Sequence, residues 1–317
     1  YVVYIRQSGL GMPDRDYYLT DDERFTAYRA AYLDYMTDVF GMLGEEDGAQ
    51  RAQAVLDMET AIAGIHWTRA ESRNRVASYN PMTLEELETY APGFDWTRFM
   101  AALDFADQDH VVVSQNTAIQ SLAQLFQEIP VETWKDYLTL HYMSSNSNEL
   151  DEAFYERSFD FWSRTLSGTE EPRARDRRAI QYVNGPLGQA VGRIYVERYF
   201  PAENKQQMED LVGYLRTALA DRIETLEWMD DETRAEALDK LAKFTPKIAY
   251  PDQWPDFSSI EIRPDDLFGN SQRIAAWYRA DSRARLHGPI REWEWGMSPQ
   301  TVNAYYSSTA NEIVFPA

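Results

Sequence analysis

Apolar side chains three and four residues apart recur along most of this chain, and that spacing commits it to a mainly helical fold. Thr20 can cap a first helix, with Glu23 reaching back as in a capping box. Phe25, Tyr28, Tyr32, Tyr35, Met36, Val39, Phe40 and Leu43 then line one helical face, and Gly41 and Gly44 mark its exit. Val55, Met58, Ile62 and Ile65 give a second helix. Thr83 and Glu86 form another capping box, opening a short helix that stops at Pro92. Ile119, Leu122, Ala123 and Phe126 restore the period up to Pro130, and Trp134, Tyr137, Leu138 and His141 continue it. The strongest stripe runs from about Lys205 to Met229, through Met208, Leu211, Val212, Leu215, Leu219, Ile223 and Leu226. As a core face it predicts a cost of about 2–5 kcal/mol for Leu215→Ala. Asp230 or Asp231 caps the next helix, which ends before Pro246.

Other segments break the helical pattern. Tyr1 to Ile5 alternates like a strand already under way, so the N-terminus reads as trimmed or processed. Val111–Val113 reads as a lone strand or an extended link, and Ser144 to Asn148 as a loop. The basic run Arg173 to Arg178 reads as a solvated helix start. Near the C-terminus, Val302–Tyr306 and Asn311–Phe315 are two strand-like runs separated by Ser307 to Ala310, which spells a β-hairpin. The stop directly after its second strand reads as an abrupt break.

Composition narrows the function classes. The 317 residues carry 31 Lys and Arg against 52 Asp and Glu, a net charge of −21, and that field repels nucleic acid and anionic membrane surfaces. There is no cysteine, so disulfides, thiol nucleophiles and thiolate metal sites are excluded. No apolar run reaches the ~18 residues of a membrane span. His66, His110, His141 and His287 lie outside any His-Glu-x-x-His arrangement, and His66 and His141 read as hydrogen-bonded core or interface residues. No Gly-x-Ser-x-Gly elbow or phosphate loop is present. The remaining candidate is the terminal hairpin. An exposed edge strand can pair main chain to main chain with an extended peptide, and the Asn303 amide offers both donor and acceptor. An ordinary core hairpin with Asn at its edge is the competing reading.

Several blocks then carry a resemblance. Val302-Asn303-Ala304-Tyr305-Tyr306 and Asn311-Glu312-Ile313-Val314-Phe315-Pro316-Ala317 resemble the signature of the neprilysin and endothelin-converting-enzyme family of zinc endopeptidases. Gln7 to Tyr18, Trp228-Met229-Asp230 with Thr233, Ala237 and Lys240, Tyr250-Pro251-Asp252, and Trp295 to Thr301 are similar to further blocks, in family order along the whole chain. The lack of cysteine is closer to bacterial members. The resemblance implies a mainly α protein: a large helical lid lobe plus the start of a thermolysin-like α+β catalytic lobe ending in a β-hairpin. On it, residues 1–19 are an entry segment, 20–265 the lid, and 266–317 the beginning of the catalytic lobe.

It further implies that Asn303 and Ala304 bind substrate, the Asn amide and the Ala carbonyl holding a peptide backbone. It implies zinc as cofactor, with the ligands and the general base in a C-terminal part beyond this chain, so that the chain alone is inactive. The implied partners are peptide substrates and that C-terminal catalytic portion. The implied location is periplasmic or extracellular, with cytoplasmic as the alternative. The alternative function is a catalytically silent peptide-binding or inhibitory module.

Overall fold

The computed structural model describes residues 1–317, and the chain divides into two compact units. The first comprises residues 1–172 and 262–288, the second residues 173–261 and 289–317. Both are mainly helical, each with one three-stranded sheet.

In the first unit, helices Glu23–Met42 and Gly48–Ile65 form the central pair. Tyr32, Tyr35, Met36, Val39 and Phe40 of one pack with Val55, Met58 and Ile62 of the other in a single buried cluster. Each such side chain contributes about 1.5–3 kcal/mol by leaving water. Tyr137 and Leu140 of helix Val131–Asn146 complete this core with Phe161, whose ring centroid lies 5.2 Å from those of both Tyr32 and Tyr35. The expected first cap is displaced: Asp22, not Thr20, accepts from Phe25 N at 2.8 Å. The Thr83–Glu86 capping box forms as its spacing predicts.

Two local expectations fail in this unit. Val111–Val113 is no lone strand. Strand β1 (Val3–Ile5) and β2 (Asn80–Thr83) flank β3 (His110–Val113), the first parallel and the second antiparallel to it. A central strand buried on both faces needs the unbroken apolar run that these valines supply. Ser144 to Asn148 is no loop either. The helix continues to Asn146 and passes into the 3₁₀ turn Ser147–Glu149, where Ser147 Oγ donates to Ser144 O at 2.9 Å.

In the second unit, helices Arg175–Asn184, Gly188–Tyr199, Ala202–Glu224 and Asp231–Ala242 precede β4 (Thr245–Ala249), and the hairpin of β5 (Tyr305–Ser307) and β6 (Glu312–Pro316) follows. The sheet order is β4-β6-β5, with β4 parallel and β5 antiparallel to β6. Strand β4 contains Pro246, which lacks a backbone N–H; a sheet edge is where a strand tolerates that. Val212 of the long helix packs with Ile248 and Ala249, joined by Phe315.

The long helix corrects the expected stripe. Val212 and Ile223 are buried, but Leu211, Leu215 and Leu219 are 48%, 58% and 50% exposed. A continuous apolar stripe records what a helix face could cover; here the sheet takes only part of its width. Asp230 caps the next helix by accepting from Thr233 N at 2.7 Å. Within that helix, the Arg234 guanidinium donates to the carbonyls of Ile223, Glu224, Leu226 and Met229 at 2.6–3.1 Å, satisfying the end of the long one.

Candidate functional site

The site expected from sequence lies at the start of β5. Asn303 and Ala304 are exposed, directly ahead of Tyr305 and just after a bend at Val302. The hairpin is shorter than its sequence suggests, since β5 begins at Tyr305 rather than Val302. Only β6 pairs with β5, so the other side of β5 is a free sheet edge. A free edge offers unpaired backbone groups that an added strand can meet.

The approach to Asn303 is pinned from several sides. Gln300 Nε2 donates to Gly188 O at 3.1 Å and to Asn184 Oδ1 at 3.3 Å, and Gln189 Nε2 donates to Met297 O at 3.0 Å. Gly192 lets Pro299 approach closely, for a Cβ there would stand 2.5 Å from Pro299 Cδ. Asn303 N donates to Thr301 O at 2.9 Å. Asn303 Oδ1 accepts from Ala304 N at 2.8 Å, which orients the amide and leaves its NH₂ as the outward donor. Beyond it, Tyr305 OH accepts from Gly296 N at 2.8 Å, and burial pushes this phenol above its ordinary range.

The hairpin is also held from the β4 side. Lys247 on β4 pairs with Glu312 on β6 at 2.6 Å and donates to Glu294 O at 3.0 Å, with both ionic side chains largely covered. At the turn, Asn311 takes a positive φ of 51°, donates through Nδ2 to Lys240 O at 2.9 Å and accepts at its carbonyl from Thr245 N at 3.0 Å. Asn tolerates that left-handed conformation better than other side chains. The arrangement therefore holds a fixed edge and one oriented amide, suited to aligning an extended backbone.

No three His, Asp or Glu side chains cluster so that they could hold a metal ion. His110 stands 2.8 Å from Asp109, His287 3.1 Å from Asp107, and His141 2.7 Å from Glu59. His66 is buried, with Nε2 unpartnered. The His141–Glu59 pair escaped sequence reasoning, because Glu59 sits on the apolar face of its helix and looks like one acid among 52. Its only sequence signal is its place between Met58 and Ile62.

The chain belongs to a peptidase lineage. A model of the N-terminal region of peptidase family M13 matches residues 1–251, and the chain belongs to that family. Over its whole length it is 29% identical to neprilysin-3 of Drosophila melanogaster and 30% identical to an endothelin-converting enzyme homolog of Locusta migratoria, covering 43% and 46% of those proteins. It also superposes along its whole length on the crystal structure of Mycobacterium tuberculosis zinc metalloprotease ZMP1 in complex with inhibitor, with 38% identity and a TM-score of 0.93, covering 48% of that chain. The fold recurs in PepO of Lactobacillus rhamnosis at a TM-score of 0.87 and 18% identity. The chain thus spans about half the length of the relatives it matches. No helix is long and apolar enough to cross a membrane.

Proposed function

We propose that this chain is the N-terminal portion of a zinc-dependent endopeptidase, contributing a helical lid and a substrate-binding edge to a closed chamber in which peptides are cut. The lid is drawn from within residues 20–265, and 266–317 begin the catalytic lobe. In this reading Asn303 donates its amide NH₂ to a peptide carbonyl and Ala304 O accepts a peptide N–H, so the substrate backbone lies along β5. The zinc ligands and the general base come from the C-terminal portion of the same protein, and this chain alone does not hydrolyse peptides. The protein acts in the periplasm or outside the cell.

The observation that carries this reading is the position of Asn303–Ala304 at the mouth of a free sheet edge, on a segment anchored by Gln300, Gly192 and Tyr305. Membership of peptidase family M13 and 38% identity to a zinc metalloprotease support it. So do the exposed Leu211, Leu215 and Leu219, an apolar face that further chain can cover. The test is Asn303→Ala in the complete enzyme. Peptide turnover should fall by about tenfold or more, as for a lost hydrogen bond in a water-excluded site, with zinc content unchanged. Normal turnover of every peptide tried would remove Asn303 from the mechanism. Peptide binding that survives a chelator, with no hydrolysis in the complete protein, would favour a silent peptide-binding module instead.

A further inference from the structure

The segment around residue 172, where the first compact unit gives way to the second, uses none of the residues assigned to peptide binding. Every residue from 167 to 177 is exposed, the longest such run in the chain. Residues 168–174 belong to no helix or strand, and helix Arg175–Asn184 opens directly after them. The front of the segment is tied down. Gly168 N donates to Arg164 O at 3.1 Å, Thr169 N to Ser163 O at 2.9 Å, and the Arg164 guanidinium to Glu170 O at 3.3 Å. At the back, Arg178 N donates to Ala174 O at 3.0 Å. Between these anchors the backbones of Glu171, Pro172 and Arg173 make no hydrogen bond.

An endopeptidase takes its substrate as an extended chain, so a bond inside a helix or a closed turn is protected until that structure opens. This sets Arg173 apart from the rest of the basic run, since Arg175, Arg177 and Arg178 lie within the helix. It also sets Arg173 apart from exposed arginines in other loops. Arg75 sits in a turn closed by Ser78 N on Asn74 O at 3.0 Å, with Asn74 Oδ1 accepting from Val76 N and Ala77 N at 3.1 Å. Arg263 has its backbone N–H and carbonyl held by the Asn270 amide at 2.8 and 2.7 Å.

The residues on either side present the bond. Pro172 drives Glu171 away from helical geometry, and Ala174 is itself extended, with φ −53° and ψ 146°. An arginine on an extended, unpaired stretch suits a serine endopeptidase whose specificity pocket ends in an acid, as that of trypsin does. We propose that the Arg173–Ala174 bond is a processing site for a trypsin-like serine endopeptidase, and that the two pieces stay together once it is cut. Water adds across the bond, leaving a carboxylate on Arg173 and an ammonium group on Ala174. Residues 262–288 follow the cut in sequence but belong to the first unit. There, on helix Leu267–Leu286, Ile274 is buried, Ser271 Oγ donates to Glu149 Oε1 at 2.8 Å and the Phe268 ring centroid lies 6.4 Å from that of Tyr142. His287, just past the helix, stands 3.1 Å from Asp107.

Limited digestion of the complete protein with trypsin, followed by N-terminal sequencing of the products, tests this. Within residues 1–317 the first new terminus should read Ala174-Arg175-Asp176-Arg177, appearing at least about tenfold faster than any other. Arg173→Gln removes the charge that the pocket reads and should slow this cut about a hundredfold or more. Because position 173 is exposed, the variant should keep the parent melting temperature, which separates loss of the site from misfolding. The nicked protein should elute as one species from a sizing column in native buffer and as two in urea. Resistance of this bond, an earlier cut elsewhere in residues 1–317, an undiminished rate in Arg173→Gln, or separation of the pieces without denaturant overturns the proposal.

Discussion

His141 Nε2 stands 2.7 Å from Oε1 of the fully buried Glu59, whose carboxylate also accepts from Tyr18 OH at 2.5 Å, Tyr32 OH at 3.2 Å and Gly11 N at 3.2 Å. One carboxylate thus joins the entry loop to three helices. Burial, and then the Glu59 charge, pushes the Tyr18 and Tyr32 hydroxyls well above their ordinary values, so both remain donors. Glu59→Ala strands four donors in the core and should destabilise the protein by about 3–5 kcal/mol. Urea unfolding measures this, and a loss below ~1 kcal/mol would show that the network is dispensable.

Acid should weaken the protein through His66. Burial lowers its folded-state pKa beneath the ordinary 6.5, so the unfolded chain binds the proton more readily. Stability from this group is complete above the unfolded value and is lost as pH falls through the folded one. The melting temperature should therefore drop as pH is lowered from 7.5 to 5, more steeply than in His66→Gln. Parallel curves for the two proteins would exclude His66 as a source.

Gly192→Ala tests the anchoring of the candidate edge. Its new methyl would lie 2.5 Å from Pro299 Cδ and 2.8 Å from Gln300 Oε1, and a proline ring does not step aside. Overpacking of this kind costs about 1–3 kcal/mol. Because Pro299 and Gln300 lead directly to Asn303, peptide turnover by the complete enzyme should fall as well. Thermal unfolding and peptide assays together check this; an unchanged melting temperature would mean that the two segments are not packed as described.

Two positions on the long helix separate pattern from packing. Leu215 is 58% exposed and Ile223 is buried. In this chain Leu215→Ala should cost under about 0.5 kcal/mol, as for a surface position. Ile223→Ala should cost about 2 kcal/mol or more. Equal losses in chemical denaturation would contradict the exposure of Leu215.

The same helix shows where legibility ends. Local rules are written in adjacent residues, so the Thr83–Glu86 box, the Asp230 cap and the hairpin of Tyr305 and Val314 could be read directly. Partnership across the chain could not. Nothing near Val111–Val113 names β1 and β2 as neighbours, and nothing near Thr245 announces a strand that carries a proline and pairs with β6. The roles proposed for Asn303 and Ala304 come from resemblance to a family, not from any local pattern. A pocket beside Gln7 and His66 was not legible, because its lining comes from two segments some fifty residues apart.

Strand β6 lies between β4 and β5, and its pairing of Thr245 with Glu312 joins residues far apart in sequence. Local hairpin closure can bring β5 to β6 quickly, whereas closing the longer loop to β4 is the slower event. Until it is complete, Lys247 has not met Glu312 and the sheet is a bare two-stranded ribbon, marginal in water. The sheet that carries the proposed peptide edge is therefore a late product of folding, complete only once β4 has reached β6.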